Sequence, residues 1–282
     1  MSDITNVGIV GAGTMGRGIA EVFATGGYKV FISDVCKDLA VTGAGQIHKG
    51  LERLVAKNKM ERSTADAIMG RIIPCEKEGL KDCDLIVEAV LEIMSVKKEL
   101  FCELDKQCSS DTIFATNTSS QSITELGALV GRPIIGMHFF NPAPRMKLVE
   151  VIQGLNTPVE LVEKISQLCK DLGKTPVIVK DSAGFVVNRV LIPEINEAIG
   201  IFSEGVATAE GIDNAMKLGA GHPMGPLELG DLIGLDVCLQ IMDTMQAETG
   251  DPKYRAVPLL RKMVRAGRLG RKTKAGFYIY EK

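Results

Sequence analysis

The sequence predicts an α/β fold: a mostly parallel sheet with helices on both faces, followed by a mainly helical C-terminal domain. Three observations carry this. Short apolar runs alternate with amphipathic stretches from residue 6 to residue 180, a glycine-rich turn joins the first run to the first amphipathic stretch, and the alternation stops after Asp181. Alternating strands and helices imply a parallel sheet, because each crossover helix packs back onto a sheet face.

The elements follow in order. Asn6–Val10 is a short apolar run, as expected of a buried strand. Thr14–Thr25 has helical periodicity and stops at Gly26-Gly27. Tyr28–Ser33 is a second strand closed by Asp34, completing a βαβ unit. Residues 37–70 read as two helices. Asp84–Glu88 and Thr112–Thr116 are strands on either side of a helix over Val96–Cys108. The polar segment Asn117–Ser120 leads into a further helix with Ser122 or Thr124 as its N-cap. Pro133–Phe140 and Lys147–Ile152 are strands about a proline-containing loop, followed by a helix over Pro158–Leu172 and a strand over Thr175–Val179. Phe185–Phe202 is apolar but carries Asn188, Arg189, Glu194, Asn196 and Glu197, and reads as a buried or interface helix. Beyond it only the tail Phe277–Tyr280 looks like a strand. The domains are therefore 1–183 and 184–282.

Composition excludes several classes. A net charge of −2 argues against a general nucleic-acid binder, which needs a basic surface to displace counterions. No run of about 20 apolar residues exists to span a bilayer. The start, MSDITNVGIV, leads straight into a core strand with no leader-like pattern. Seven cysteines, an odd number without a Cys-x-x-Cys pair, read as reduced thiols of a cytoplasmic protein. A redox role for one of them stays open. No metal is expected.

Gly11-Ala12-Gly13-Thr14-Met15-Gly16 fits G-x-G-x-x-G in the required context, after a strand and opening a helix. The first glycine permits the tight turn, the second lets backbone approach a pyrophosphate, and the third lets helix pack on strand. The helix N-terminus then offers N–H groups to the phosphates. Asp34, about 20 residues on, can accept hydrogen bonds from ribose hydroxyls and would repel a 2′-phosphate. The domain is thus Rossmann-type, with NAD rather than NADP as the expected cofactor. A plain βα turn with an incidental aspartate is the bland alternative.

Hydride transfer from an alcohol leaves an O–H proton to remove, usually to histidine. Only His48, His138 and His222 exist. His48 lies in a polar helix and reads as a surface residue. His222 sits in a loop rich in helix breakers, where a turn role is at least as good. His138 ends an apolar strand before an Asn-Pro loop, and functional residues gather at the carboxyl ends of strands in such sheets. Antiparallel arms centred on Pro144 would put Glu150 opposite His138, where a carboxylate fixes the tautomer and stabilises imidazolium. The alternative is that Glu150 is a strand-edge surface charge. Asn117-Thr-Ser-Ser120 is either a polar turn or the place where nicotinamide and substrate meet. Asn188, beside Arg189, is an interface hydrogen-bonder or a substrate donor.

At this point the chain resembles a family. Gly11–Gly16, Asn117-Thr-Ser-Ser120, His138-Phe-Phe-Asn-Pro-Ala-Pro-Arg-Met-Lys-Leu-Val-Glu150, Asp181-Ser-Ala-Gly-Phe-Val-Val-Asn-Arg189 and Pro223-Met-Gly-Pro-Leu-Glu-Leu-Gly-Asp231 look like 3-hydroxyacyl-CoA dehydrogenase. The likeness covers essentially the whole chain, with Ala183 standing where proline is common. It implies that His138 is the acid/base residue and Glu150 its partner, that Ser119 binds the substrate carbonyl beside the nicotinamide, and that Asn188 contacts the reacting end of the substrate. It further implies cofactor contacts at Glu92, Lys97, Asn117, Asn141 and Lys272, acetoacetyl-CoA / 3-hydroxybutyryl-CoA as substrate pair, and a homodimer through the helical domain. Lys49, Arg53 and Lys57 recur every four residues and share one helix face. With this resemblance they could meet the phosphates of CoA; otherwise they are an ordinary solvated face.

Two rival readings share the same scaffold. Dehydrogenases of free 3-hydroxyacids share the two-domain plan but use a lysine four residues before an asparagine, and here Gly184 precedes Asn188 at that spacing. A non-catalytic NAD-binding protein on the same scaffold need not keep base, carboxylate and serine together.

Overall fold

The computed structural model describes residues 4–281; the leaderless reading of the N-terminus falls partly on residues 1–3, which lie outside that range. The chain divides into two compact units after Ser182.

The first unit runs β1 (Asn6–Val10), α1 (Thr14–Thr25), β2 (Lys29–Ser33), α2 (Lys37–Ala56), α3 (Arg62–Met69), β3 (Ile72–Pro74), β4 (Leu85–Glu88), α4 (Met94–Asp105), β5 (Ile113–Thr116), α5 (Ile123–Val130), β6 (Ile134–Phe139), β7 (Leu148–Gln153), α6 (Val159–Asp171) and β8 (Thr175–Lys180). The strands form one sheet in the order β3-β2-β1-β4-β5-β6-β7-β8. Every neighbouring pair is parallel except β6 with β7. The order reverses at β1, so β1–β2–β3 and β4–β5–β6 are two halves with a crevice at the carboxyl ends of β1 and β4.

β3 is an element the sequence reading passes over. It has three residues, ends in Pro74 and sits at the sheet edge, where proline is tolerated and a periodic signal has no room to develop. The expected tail strand is also corrected. Residues 277–280 contribute only to an isolated bridge between Ala275 and Ile279.

The core of this unit packs α1 and α2 on the sheet through Ile9, Phe23, Ile32, Leu51 and Val87, all 0% exposed. Each such side chain contributes about 1.5–3 kcal/mol by leaving water. Two polar devices fix strand ends. Asp84 Oδ2 accepts from the N–H groups of Thr5 and Asn6, each at 2.8 Å, anchoring the start of β1. The Lys174 ammonium donates to the carbonyls of Ala143 (2.7 Å) and Met146 (2.9 Å), fastening the loop between β6 and β7.

The second unit is helical, with α7 (Val187–Ser203), α8 (Ala209–Gly219), α9 (Pro226–Ile233), α10 (Leu235–Thr249) and α11 (Pro258–Arg265). Ile195, Ile199, Leu227, Leu235, Met242 and Leu260 are fully buried in its core. Two buried aspartates tie it together. Asp213 accepts from the N–H groups of Leu227 and Glu228 at the start of α9 and from the Tyr278 hydroxyl. Asp231 accepts from the N–H groups of Phe277 and Tyr278 and from the Tyr280 hydroxyl. Among the described residues no helix is long and apolar enough to cross a membrane.

Candidate active site

The glycine-rich turn between β1 and α1 is built by three glycines under different constraints. Gly11 has φ +102°, and a Cβ there would lie 2.4 Å from the Ala89 carbonyl oxygen. A Cβ on Gly16 would lie 1.7 Å from the carbonyl oxygen of Gly11, so α1 can approach β1 only without a side chain at this point. Gly13 is different. Its φ is −68°, and a Cβ would meet nothing within 4 Å. Neither backbone nor neighbours require glycine at 13, so the open space in front of it fits a pyrophosphate approaching closely. Gly13 and Thr14 are exposed, and the N-cap of α1 carries no side-chain hydrogen bond. Ala12 and Met15 point their bulk inward or are half-buried. Asp34, just past β2, accepts from the Ala12 N–H (2.6 Å) and the Val35 N–H (2.7 Å), which locks the acidic residue to the glycine turn.

His138 and Glu150 are directly opposed in the antiparallel β6–β7 ladder. His138 Nδ1 lies 2.7 Å from Glu150 Oε2, and a carboxylate can only accept, so Nδ1–H donates. Both residues are buried, at 6% and 1% exposed. The imidazole also packs on Phe140, with ring centroids 4.4 Å apart. Position is enforced from next door: Asn117, just past β5, accepts from the Phe139 N–H at 2.8 Å.

Ser119 belongs to a loop gathered around one oxygen. Glu92 Oε1 accepts from the hydroxyls of Thr118 (2.6 Å), Ser119 (3.3 Å) and Ser120 (3.0 Å), and from the N–H groups of Ser119 (2.8 Å) and Ser120 (3.0 Å). Burial opposes ionisation of Glu92, but the Lys97 charge and these hydrogen bonds prevail and hold its carboxyl below the usual range. Lys97 is 1% exposed, with its ammonium between Glu88 (2.7 Å) and Glu92 (3.1 Å). Glu88 is the residue that sequence reasoning missed, since it reads as the last position of an apolar strand. Only its full burial beside a lysine nine positions on reveals it.

The remaining candidates divide between the two units. Arg53, Lys57 and Asn141 line a pocket of about 1040 Å³ together with Thr14, Arg17 and Arg145, while Lys49 is exposed outside its lining. His138 and Ser119 are not among the lining residues. In the second unit Asn188 lies at the start of α7, and Lys272 is ion-paired with Asp236 at 2.5 Å. His48 is exposed and 3.9 Å from Glu52, and His222 pairs with Glu194 at 3.2 Å. All seven cysteines are free thiols, and burial raises Cys83, Cys169 and Cys238 to about 12.

A sheet with a dinucleotide turn on one half and a carboxylate-steadied imidazole on the other is the equipment of a nicotinamide-dependent alcohol dehydrogenase. Comparison with known proteins narrows the class. Residues 6–182 match the 3-hydroxyacyl-CoA dehydrogenase NAD binding domain, and residues 184–280 match the C-terminal domain of the same family. The chain belongs to the 3-hydroxyacyl-CoA dehydrogenase family and is an NAD-dependent enzyme. It is 53% identical over 282 residues to the 3-hydroxybutyryl-CoA dehydrogenase of Clostridioides difficile, covering 97% of this chain and 99% of that one. It is 47% identical over 280 residues to the 3-hydroxybutyryl-CoA dehydrogenase of Bradyrhizobium diazoefficiens, covering 98% and 96%. The crystal structure of (S)-3-hydroxybutyryl-CoA dehydrogenase from Ralstonia eutropha superposes with a TM-score of 0.96 at 45% identity, covering 99% of this chain and 100% of that one.

Proposed function

We propose that the protein catalyses reversible NAD(H)-dependent oxidoreduction between (S)-3-hydroxybutyryl-CoA and acetoacetyl-CoA, as the names of its relatives suggest. The observation that carries the chemistry is the His138–Glu150 pair. A bound nicotinamide would supply or accept the hydride at C3. Glu150 holds the Nδ1 proton, so the proton exchanged with the 3-oxygen is assigned to Nε2 of His138. During reduction the protonated ring stabilises the growing negative charge on that oxygen and then donates to it; during oxidation the neutral ring takes the proton back. Ser119, tethered by Glu92, is assigned to hold the same oxygen.

Further assignments rest on the resemblance with local support. The exposed turn at Gly13 and Thr14 takes the pyrophosphate, Asp34 the adenosine ribose, and Asn117, Glu92 and Lys97 shape the nicotinamide side. Arg53 and Lys57, on a pocket wall with Arg17 and Arg145, are assigned with Lys49 to the CoA phosphates. Asn188, Asn141 and Lys272 keep their substrate and cofactor roles on the resemblance alone. A homodimer formed by the helical unit and a cytoplasmic location complete the reading.

The deciding experiment is a kcat/KM series over 3-ketoacyl-CoA chain length with NADH and with NADPH. The proposal expects a maximum at the four-carbon thioester with NADH. A maximum at long chains, or turnover of free 3-ketoacids without CoA, would replace it. Light scattering at micromolar concentration checks the dimer.

A further inference from the structure

Glu88 is wholly buried at the carboxyl end of β4, where an ionised side chain is costly unless every oxygen is held. It is held completely. Oε1 accepts from the Val90 N–H and the Lys97 ammonium, both at 2.7 Å, and Oε2 accepts from the Thr116 hydroxyl at 2.6 Å. Lys97 is shared with Glu92, so two carboxylates enclose one ammonium and the cluster carries one surplus negative charge. A glutamine at either position would have kept most of these hydrogen bonds at lower desolvation cost. The surplus charge therefore calls for a reason outside the cluster.

The sheet topology supplies one. Asp34 directly follows β2, which puts the adenosine on the β1–β2–β3 half and the nicotinamide on the β4–β5–β6 half. Glu88 ends β4, Thr116 ends β5, and His138 lies near the end of β6 on that same half. The nicotinamide ring is cationic when oxidised and neutral when reduced. We propose that Glu88, through Lys97 and Glu92, sets the relative affinity of the site for oxidised and reduced cofactor, by keeping net negative charge on the half where the ring changes its own. The inference rests on the NAD-binding reading of this unit but not on the identity of the acyl substrate.

The test measures dissociation constants of NAD+, NADH and ADP-ribose by calorimetry for the unaltered protein, Glu88→Gln and Glu92→Gln. A unit charge at about 10 Å through an effective dielectric near 20 alters affinity for a cation by roughly tenfold. Glu88→Gln is therefore expected to weaken NAD+ by about tenfold while NADH and ADP-ribose move by less than about twofold, and Glu92→Gln, which sits among the cofactor contacts, to lower the ratio of NAD+ to NADH affinity by about tenfold while ADP-ribose holds. ADP-ribose lacks the ring and reports whether the adenosine half is intact. An unchanged NAD+ to NADH ratio overturns the proposal, whether all three ligands weaken together or none does. If Glu88→Gln fails to fold, Glu92→Gln removes the same unit of charge from a side chain that is 25% exposed, and its NAD+ to NADH affinity ratio decides the matter, since a lost contact to the cofactor weakens both forms alike. An unaltered protein that binds ADP-ribose but neither dinucleotide defeats the cofactor reading itself, a result separable from a failed charge effect.

Discussion

Glu150 faces His138 across the β6–β7 ladder with its Oε2 2.7 Å from Nδ1, and both residues are buried. A buried imidazole so held has one tautomer and one orientation. Removing the ring by His138→Ala is expected to lower kcat by at least about 10²-fold with NADH affinity retained. Glu150→Gln, which keeps the size but not the charge, is expected to lower kcat by about 10- to 100-fold, since the imidazolium loses its counter-charge. Steady-state kinetics with acetoacetyl-CoA, alongside NADH titration, check both. Near-normal turnover in either variant removes that residue from the proton path.

Asp34 is tied to the glycine turn through the Ala12 N–H. Asp34→Ser is expected to raise NADPH use relative to NADH, because the charge that repels a 2′-phosphate is gone. The ratio of kcat/KM for the two cofactors measures this. An unchanged ratio would free Asp34 for a purely structural role at the turn.

Two glycines separate folding from binding. Gly16→Ala sets a Cβ against the Gly11 carbonyl and is expected to destabilise the protein by about 3 kcal/mol or more, at the top of the overpacking range. Gly13→Ala meets open space and is expected to leave Tm unchanged while weakening NADH binding at least about tenfold, since a close phosphate approach loses about 1.4 kcal/mol per factor of ten. Thermal denaturation and NADH titration on the two variants read this out. A stable Gly13→Ala protein with full NADH affinity would mean that the pyrophosphate does not lie there.

Asp84 gives a pH prediction. Burial works against its charge, but the N–H groups of Asn6 and Thr5 outweigh burial and hold the carboxyl below its ordinary value. A carboxyl depressed in the folded state stabilises the protein above its unfolded pKa, near 3.9, and that contribution is lost as pH falls through the folded value. Asp84→Asn is therefore expected to lower Tm at pH 6 to 7, with the gap to the unaltered protein closing below about pH 3 to 4. A gap that persists unchanged into acid would show that Asp84 acts by shape alone.

The buried thiols give another. Cys83, Cys169 and Cys238, each raised to about 12 by burial, are expected to resist a thiol reagent at pH 8 until the protein unfolds, while exposed Cys36 reacts at once. Timed counting of modified thiols with and without denaturant tests it.

Much of this arrangement is legible in the chain because the signals are local. The first glycine turn lies between a strand and a helix that announce themselves by periodicity, and α1 begins and ends where the sequence puts it, at Thr14 and Thr25. Ser122 caps α5 by accepting from the Glu125 N–H, as its residue type suggests. The facing of positions 138 and 150 follows from symmetry about Pro144, and the ladder has that register. What escaped is long-range. β3 is too short to carry a period, and Glu88 gains meaning only from Lys97 and Thr116, which reach it from α4 and β5. Lys97, expected from the resemblance as a cofactor contact, is buried with its ammonium between two acids, a placement its position in a helix does not announce.

The ladder between β6 and β7 is continuous from Ile135–Gln153 to Phe139–Val149, with no bulge. Slipping one arm by a single residue would bring Val149 or Val151 up to the imidazole and turn the carboxylate to the opposite side of the sheet. The proposed proton-handling pair is thus an all-or-none feature of strand alignment. Insertions or deletions at the tip of the hairpin that the loop absorbs should leave catalysis intact, whereas any that travel into the strands should abolish it in one step.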